Sequence, residues 1–554
     1  ILAATFAPRP LPVDAFERTT SLAAGRFTLL NREYDLGRPI DFNKAKSAPL
    51  LSQFHLHYHE FLLDVAASSE TVWDFVLHWM AAHERPDRSA AWHPYCMSRR
   101  IPVWCAILLE RKPSAPVAAA MRSHLSLQAA RLERRLERDL GGNHLWENAR
   151  ALATAGACFA GPDADRWRDR GVRLLAECIR TQILPSGEHY ERSPMYQADL
   201  ALGLEDLARW LRPSRPAVAT EFASVATRMH AFLDAIRHPD GGIPLFGDAT
   251  RDHDSTARSP ARPGSAWVGD YYVHREVDGR TLLFDAGDVG PDDLPAHAHS
   301  DLLGCELSVF GKRLLVDSGV FEYAGPKRHA YRRASAHNVL TLGGEELADV
   351  WSSFRMGRRG HVIKRSAGAT EGGRWASAEH DAYRRRGAAI RRLWFLADDG
   401  PWFSVHLLNG RSDAAGDAAE HLHWHPDVRW DTPSCSGSRE TSGGALLKSH
   451  DSSYIRKTIV AGRPVWWETA STCELETAPS EYSERFSQAT PNESWTLSSS
   501  ESRENFDSPR LLTAWALSFN DRPAQPRTEL HLDRIEFSWE DAAGARRSAV
   551  VPIR

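Results

Sequence analysis

The chain has 554 residues, a formal net charge of −4 at pH 7 and a hydrophobic fraction of 42%. This length exceeds what one hydrophobic core usually supports, so two or three domains are expected. The small negative charge excludes the global basic field of nucleic-acid-binding proteins, and no uninterrupted apolar segment is long enough to cross a bilayer. Any acidic partner must be bound by local basic clusters such as Arg99-Arg100 and Arg332-Arg333.

Cysteine usage and the start of the chain bear on its compartment. Seven cysteines are few and odd in number, and no two form a Cys-x-x-Cys pair, which argues against a disulfide scaffold or a cysteine-ligated zinc ion. The chain starts at Ile1 without a signal-type segment, so it looks trimmed and is compatible with a removed export signal.

In the first half of the chain, apolar residues recur at three- and four-residue spacing, which predicts amphipathic helices. The predicted helices cover 54–66, 72–82, 102–110, 116–137, 144–160, 164–183, 194–212 and 216–237. Short connections rich in Pro, Gly and Asp favour a bundle, solenoid or toroid of helical hairpins. The pattern changes near residue 241, and the polar stretch 249–265 is typical of a linker.

The second half predicts an antiparallel β region, because short runs rich in Val, Leu, Phe, Trp and Thr alternate with turn residues. The predicted strands include 279–285, 305–310, 313–317, 338–342, 388–396, 402–408, 456–460, 463–468, 512–518 and 545–552. Two polar stretches, 411–420 and 475–508, are expected to be long surface loops. The chain is therefore interpreted as a multidomain α+β protein, with an N-terminal helical domain at 1–250 and a C-terminal β domain at 266–554.

One group of candidate site residues lies in the β region. His297 and His299 are two residues apart, so they share a face if the segment is extended. One imidazole can then bind a metal ion while the other takes part in chemistry. Asp317 ends an apolar strand and His337 precedes another, so both can complete a His/Asp/His set around a divalent ion. The alternative is ordinary surface or core histidines, of which the chain has 25.

The other candidate residues lie in the helical region. Gly141 to Ala149 opens a predicted helix, with Asn143 at the expected N-cap and His144 next to it. The segment 184–196 concentrates polar and aromatic residues before a helix whose first residue is expected to be Pro194, and Tyr196 lies in its first turn. The alternatives are simple capping by Asn143 and a buried tyrosine that ties a loop to a helix.

The joint occurrence of these motifs, in this order, resembles the heparinase II/III group of polysaccharide lyases and related alginate and glycosaminoglycan lyases. The matching segments are Leu29 to Leu36, His55 to Tyr58, Ser98 to Ile101, Gly142 to Asn148, Gly187 to Tyr196, His297 to Asp301, Val316 to Gly319 and Ala336 to Asn338. The resemblance covers about residues 25 to 345, and the strands closer to the C-terminus carry no matching motif.

The resemblance implies an N-terminal incomplete (α/α) toroid followed by a C-terminal antiparallel β-sandwich, with an acidic polysaccharide between them. The implied reaction is β-elimination on a uronic acid, in a periplasmic or secreted enzyme. The implied catalytic residues are Asn143, with His144 beside it, Tyr196 and His297. The implied ligands of one divalent, structural metal ion (zinc, or manganese or calcium) are His299, Asp317 and His337.

Elementary chemistry is consistent with these roles. A C5 hydrogen next to a carboxylate is weakly acidic, and neutralising that carboxylate with an amide or imidazole lowers the cost of removing it. Candidate substrate-binding residues are Arg99, Arg100, Trp146, Glu191, Tyr323 and Arg332, with arginine favoured because its geometry matches carboxylate and sulfate.

Several alternatives stay open at this point. The substrate class includes heparan sulfate, hyaluronan and chondroitin sulfate, but also alginate and bacterial exopolysaccharide. A glycoside hydrolase would need a pair of carboxylates, for which Glu147, Glu188 and Glu191 are candidates without an obvious pairing. A non-catalytic polysaccharide-binding protein is a further alternative. The sequence assigns neither the base and acid roles nor the oligomeric state.

Overall fold

A computed structural model describes most of the chain. The described residues are 22–63, 67–252, 262–410, 417–431, 434–435, 439–440, 446–447, 454–470, 473–499, 509–519 and 524–553. Residues 1–21 of the predicted helical domain, 253–261 of the predicted linker, and 411–416 and 500–508 of the predicted loops lie outside the described residues.

The N-terminal half is helical, as predicted. Its helices, with a short one in the second half, are α1 (Leu50–Tyr58), α2 (Ser69–Ala82), α3 (Pro94–Glu110), α4 (Ala115–Arg134), α5 (Gly142–Cys158), α6 (Pro162–Gln182), α7 (Pro194–Leu211), α8 (Pro216–Ala235) and α9 (Pro326–Arg332). No helix in the described ranges is both long and apolar enough to span a membrane.

Local chemistry explains where two helices differ from the prediction. Helix α1 stops at Tyr58 because His59 adopts a left-handed conformation with φ of 65°. Helix α3 begins at Pro94, well before the predicted start, because a proline suits the first helical position and the His93 ring accepts a hydrogen bond from the Tyr95 amide at 3.2 Å.

The remaining elements are strands that pair antiparallel throughout the described part of the chain. The strands are β1 (Arg26–Leu29), β2 (Arg32–Asp35), β3 (Gly264–Val268), β4 (Tyr271–Arg275), β5 (Thr281–Asp285), β6 (Cys305–Val309), β7 (Lys312–Leu315), β8 (Leu340–Leu342), β9 (Ala348–Ser352), β10 (Arg355–Arg359), β11 (Val362–Thr370), β12 (Gly373–His380), β13 (Ala388–Ala397), β14 (Trp402–Gly410), β15 (Ala418–His423), β16 (Ser434–Cys435), β17 (Arg439–Glu440), β18 (Leu446–Leu447), β19 (Tyr454–Val460), β20 (Arg463–Thr469), β21 (Glu474–Arg485), β22 (Gln488–Ser499), β23 (Arg510–Ser518), β24 (Arg527–Leu530), β25 (Arg534–Glu540) and β26 (Arg546–Pro552). With the helices, they make a multidomain α+β architecture.

The largest sheet contains eight strands in the order β11-β12-β13-β14-β23-β20-β19-β16. Its central strand β13 is buried on both faces. Trp394 packs in a core shared with the five-stranded sheet β3-β4-β5-β6-β7 and the four-stranded sheet β21-β22-β15-β8. Its neighbour Phe395 packs on the opposite side, against Phe537 of the sheet β24-β25-β26. Because successive side chains of a strand point to opposite faces, β13 contributes to a core on each side of the sheet.

The helical and β halves meet in a separate apolar core. Met195 and Ala198 of α7 and Phe232 of α8 contribute to it from the helical side, and Leu283 and Val316 contribute from the β side. An ion pair reinforces this junction, with Nη2 of the buried Arg192 2.7 Å from Asp285 Oδ1. The two halves are thus held in one arrangement where the candidate site residues lie.

The expected loop at 475–508 is wrong over its described part, because residues 474–499 form the long hairpin β21-β22. Strand β21 is largely solvent-exposed on both faces, so it lacks the apolar alternation that identifies a strand in a sequence. In β22, Trp495 and Leu497 are buried and attach the hairpin to the β core.

Candidate active site

The candidate site lies at the junction of the two halves. It is built from the start of α5, the loop before α7, the segment 247–252, the turn of 3-10 helix at Pro295–His297, and α9 with the loop before it. These segments contribute Tyr196 and His297, whose rings lie 4.2 Å apart between centroids. The structure therefore brings together the tyrosine and histidine that the sequence analysis selected from different halves.

Tyr196 is positioned by the cap of α7. The Ser193 side chain accepts a hydrogen bond from the Tyr196 amide at 3.3 Å, and Pro194 occupies the first helical position, as expected. The Tyr196 hydroxyl lies 3.0 Å from the Tyr323 hydroxyl. Burial, with Tyr323 close by, raises the pKa of the Tyr196 phenol well above its usual value, so it keeps its proton at neutral pH.

His297 is 6% exposed and lies between two carboxylates. Its Nδ1 is 2.8 Å from Asp248 Oδ2, and its Nε2 is 3.3 Å from Glu191 Oε2. An ionised carboxylate can only accept, so His297 donates from Nδ1 to Asp248. The Nε2 atom is thereby left to face Glu191, and the imidazole ring lies against the Tyr196 ring.

Asp248 is the hub of the site and was missed in the sequence analysis. Its oxygens accept hydrogen bonds from His297 at 2.8 Å, from His299 at 2.9 Å and from Arg328 Nη2 at 2.8 Å. Burial alone would raise the pKa of Asp248, but Arg328 and the two imidazoles hold it well below its usual value. In the sequence, Asp248 is marked only by its place after Gly247, near the boundary between the two predicted domains. No sequence pattern identifies Arg328 as a site residue.

Glu191 connects the helical half to His297. Its Oε1 accepts a hydrogen bond from the backbone N–H of Asn143 at 2.7 Å, while its Oε2 faces His297. The approach requires glycine at position 142, where φ is +47° and a Cβ atom would lie 2.4 Å from Glu191 Oε1. Since Glu191 is 2% exposed with both oxygens so placed, it supports the site rather than binding an anionic substrate.

Asn143 and His144 lie on the helical side of the site. The N-cap of α5 is Gly141, so the expected capping role of Asn143 is wrong and its side chain is free for other contacts. Its Nδ2 lies 3.5 Å from the Tyr95 hydroxyl. His144 packs on the Tyr95 ring at 4.4 Å, and its Nδ1 is 3.0 Å from Glu137 Oε1.

Two of the six predicted substrate-binding residues, Tyr323 and Arg99, lie where a ligand can reach them. Tyr323 is 9% exposed and belongs to the Tyr196 and His297 group. Arg99 is partly exposed and pairs with Glu60 at 2.6 Å and Asp199 at 3.4 Å. These two remain candidates for contact with a ligand.

Three predicted substrate-binding residues are corrected by their complete burial: Arg100, Trp146 and Arg332. Arg100 bonds to the Gln128 side chain and to backbone carbonyls, and burial lowers its pKa to about 9. Trp146 packs in the core of the helical half. Arg332 donates to the carbonyls of Ala298 and Ser352 at 2.9 and 2.7 Å, so it braces the backbone of the site.

A candidate metal centre lies beside Asp248. One ligand atom each of His299, Asp301 and His337 can be chosen so that all three lie within 4.8 Å of one another. The buried Nδ1 of His299 and Nε2 of His337 have no hydrogen-bond partner among the described residues. Burial lowers the pKa of His299 to about 3 and raises that of Asp301 to about 6. Two unpartnered imidazole nitrogens and a carboxylate fit a divalent cation such as zinc.

This ligand set differs from the predicted one at one position. Asp317 Oδ2 is 2.7 Å from His337 Nδ1, and its Oδ1 accepts from the Gly319 amide at 3.0 Å. Asp317 therefore orients His337 from behind, and Asp301 takes its place in the compact group. Asp301 follows His299 by two residues and ends the matching segment His297 to Asp301, but it was not among the predicted ligands.

Two family models match consecutive parts of the chain. The heparinase II/III N-terminus family model matches residues 52–264, and the heparinase II/III-like C-terminal model matches residues 258–514. The fold and site define a class in which a helical N-terminal domain and an antiparallel β domain share one site. The chain belongs to the heparinase II/III family.

Individual relatives are more distant. The chain is similar to a heparin-sulfate lyase of Pedobacter heparinus, at 24% identity over 37% of both chains, and to one of Bacteroides thetaiotaomicron, at 23% identity over 47% of this chain and 44% of the relative. The matched segments thus span less than half the length of these curated relatives.

Solved structures are similar over most of the chain. A crystal structure of heparinase III aligns with a TM-score of 0.74 at 16% identity, covering 94% of this chain and 86% of that one. A mutant heparan sulfate lyase from Pedobacter heparinus aligns with a TM-score of 0.65 at 16% identity, covering 96% and 87%. At such identities the likeness concerns the fold.

Proposed function

We propose that this protein is a polysaccharide lyase that cleaves uronate-containing polysaccharide by β-elimination and leaves 4,5-unsaturated uronate ends. The observation that carries the proposal is the contact of Tyr196 with His297, backed by Asp248, at the junction of the two domains. We also infer that the helices form an incomplete (α/α) toroid and the sheets a β-sandwich, with the boundaries of the domains near 250 and 266.

Elimination first requires that the uronate carboxylate be neutralised. The Asn143 amide and the His144 imidazole lie together at the start of α5 and supply this interaction. Stabilising the charge that forms when the C5 proton leaves lowers the barrier to the reaction.

The two proton transfers are assigned to His297 and Tyr196. Because His297 donates from Nδ1 to Asp248, its Nε2 is the nitrogen that we assign to accept the C5 proton, and it must leave its 3.3 Å contact with Glu191 Oε2 to do so. Tyr196 keeps its proton at neutral pH, so it suits donation to the departing glycosidic oxygen. General acid and general base steps of this kind each contribute about 10²–10⁴-fold to the rate.

A divalent metal ion at His299, Asp301 and His337 would have a structural role. The site is separate from the reacting groups but shares Asp248 with them, since His299 bonds to the same carboxylate as His297. When bound, the ion would fix the segment 297–301 and so the orientation of His297.

The substrate class is inferred from the relatives. The curated relatives are named heparin-sulfate lyases, which supports a glycosaminoglycan such as heparan sulfate. Hyaluronan, chondroitin sulfate, alginate and bacterial exopolysaccharide are tested beside it. A polymer of this kind places the enzyme in the periplasm or outside the cell, because these substrates are extracellular macromolecules.

The hydrolase alternative is weakened by the carboxylates it would use. Glu147 is held by Arg150, with contacts as short as 2.5 Å. Glu188 is buried against Arg192 at 3.3 Å, and Glu191 is held by Asn143. None of the three therefore matches a pair of carboxylates free to flank a glycosidic bond.

The test is incubation with a panel of purified uronate polymers while the ultraviolet absorbance of the conjugated unsaturated uronate is followed. Hydrolysis would give reducing ends without this absorbance, and a binding protein would give neither. Tyr196→Phe should lower the elimination rate by about 10²–10⁴-fold, because it removes one proton-transfer group.

The matched control is Tyr331→Phe. Tyr331 is also buried, but its hydroxyl donates to Glu481 at 3.2 Å instead of contacting Tyr196 or His297. We expect near-normal turnover from this variant. Equal rates for Tyr196→Phe and the unmodified protein would remove Tyr196 from the mechanism.

A further inference from the structure

An exposed aromatic surface lies on the β9-β10 hairpin. Trp351 of β9 is 62% exposed, and Phe354 in the turn is 45% exposed. Exposed apolar side chains that lie close together mark a candidate binding surface. The two rings and Arg355, the first residue of β10, are called the hairpin surface below.

The hairpin is fixed from beneath by two buried guanidinium groups. Arg328 donates to the carbonyl of Ser353 at 2.8 Å, and Arg332 donates to that of Ser352 at 2.7 Å. Both arginines are fully buried, and the two bonds are partly buried. The backbone between the two aromatic residues is consequently held in position before any ligand arrives, which lowers the entropic cost of binding.

The hairpin surface continues directly from the reacting groups. The Phe354 ring packs edge-on against Tyr323, with 5.7 Å between centroids, and the Tyr323 hydroxyl is 3.0 Å from that of Tyr196. The Arg328 guanidinium lies over both aromatic rings, at 5.1 Å from Tyr323 and 5.6 Å from Phe354. A polymer whose sugar is held at Tyr196 can therefore extend over Phe354.

The charge of the hairpin surface suits an acidic sugar. The Arg355 guanidinium lies 5.8 Å from the centre of the Trp351 ring, is exposed, and has no carboxylate within 4.0 Å among the described residues. Its neighbours differ, since Arg358 pairs with Asp349 at 2.9 Å and Arg359 with Asp292 at 3.0 Å. One cation beside an exposed ring is thus left available.

We propose that the hairpin surface is a binding subsite for acidic polysaccharide, in which sugar rings stack on Trp351 and Phe354 and a uronate or sulfate group pairs with Arg355. The apolar face of a sugar ring matches an aromatic ring, and its anionic group matches a guanidinium. The subsite rests on the proposed function for the identity of its ligand, and it would set how firmly long chains are held beyond the cleaved bond.

The test measures binding separately from cleavage. Variants are run on native gels that contain heparan sulfate or, as a comparison, neutral dextran, using the Tyr196→Phe background to prevent degradation. Trp351→Ala should weaken retardation by heparan sulfate about tenfold, which is the size expected for one lost aromatic contact. Trp351→Phe should recover most of it, and Arg355→Ala should weaken it in a salt-dependent way.

The matched control is Leu532→Ala, which removes a 65% exposed apolar side chain from a loop between β24 and β25. It should bind like its parent. The subsite would be overturned if Trp351→Ala were retarded as strongly as its parent. It would also be overturned if Trp351→Ala and Leu532→Ala lost retardation equally, or if the parent itself were not retarded.

Cleavage assays distinguish this inference from the proposed function. In the active protein, Trp351→Ala should act on KM for the polymer rather than on kcat, and the effect should fade with the shortest cleavable oligosaccharide. Polysaccharide binding that depends on Trp351 without any unsaturated product would refute the lyase and keep the subsite. Elimination at the same rate and with the same KM in Trp351→Ala and its parent would keep the lyase and refute the subsite.

Discussion

Asp248→Asn is expected to lower both stability and activity, because one carboxylate serves three donors. Asp248 is fully buried and accepts from His297, His299 and Arg328. An asparagine side chain presents one oxygen and one NH₂ group, so at least one of the three donors would face another donor. Arg328 would also keep its buried charge without the carboxylate that balances it.

The size of the stability loss follows from that unbalanced charge. Removing one partner of a buried ion pair typically costs about 3–5 kcal/mol. For a domain of 150–250 residues, each kcal/mol lowers the melting temperature by about 2–4 °C, which gives a decrease of roughly 10 °C. The pKa of Asp248 is depressed, so its stabilisation is present above the unfolded pKa of about 4 and is lost as pH falls through the folded value. The full difference is therefore expected at pH 7.

Activity and stability are read in separate assays. Calorimetry gives the melting temperatures, and the absorbance of unsaturated uronate gives the rate well below the variant's transition. Without its acceptor on Nδ1, His297 loses a fixed tautomer, and the rate should fall by about 10²-fold or more.

The control is Glu306→Gln, which changes another fully buried carboxylate at the domain junction. Glu306 is 2.8 Å from His238 Nε2 and accepts from the Leu245 amide at 2.6 Å. This variant should melt lower but retain its rate while folded. A near-normal rate in Asp248→Asn, or an equal loss in Glu306→Gln, would refute the role given to Asp248.

Two further predictions concern the metal centre and the helical core. His299→Ala should lower bound metal, melting temperature and activity together, as measured by elemental analysis, calorimetry and the absorbance assay, and an unchanged metal content would refute its ligand role. Arg100→Met should lower the melting temperature by several degrees, because it leaves buried carbonyls unpaired, while KM for the polysaccharide stays the same; a raised KM would restore the original hypothesis of substrate contact.

Much of the fold could be predicted because its signals are local. Proline at the first helical position and apolar residues at helical spacing mark α7 and α8, and the β half follows from runs such as 388–396 and 402–408. The polar hairpin β21-β22 was missed because its exposed strand has little alternation to detect. Helix α9 was missed because seven residues are too few to show a helical period.

The candidate site was predictable only where a motif carried it. Tyr196 and His297 came from segments with a known family order, and the structure brings them together. Asp248 and Arg328 follow no motif, since their importance arises from contacts across 80 residues of chain. Arg100 and Arg332 looked like surface cations because composition shows charge but not burial. Sequence composition does not distinguish a buried arginine that binds backbone carbonyls from an exposed one.

The carboxylates of Asp248 and Asp317 determine which ring nitrogen of His299 and of His337 is free to bind a metal ion. His299 donates from Nε2 to Asp248, so its Nδ1 lone pair is free, and His337 donates from Nδ1 to Asp317, so its Nε2 lone pair is free. These two atoms are the unpartnered nitrogens of the candidate centre. Because Asp248 also holds His297, the same carboxylate sets the tautomer of a metal ligand and of the proposed base. Loss of the ion should therefore lower the reaction rate by displacing Asp248, and with it His297, although the substrate itself does not bind the ion.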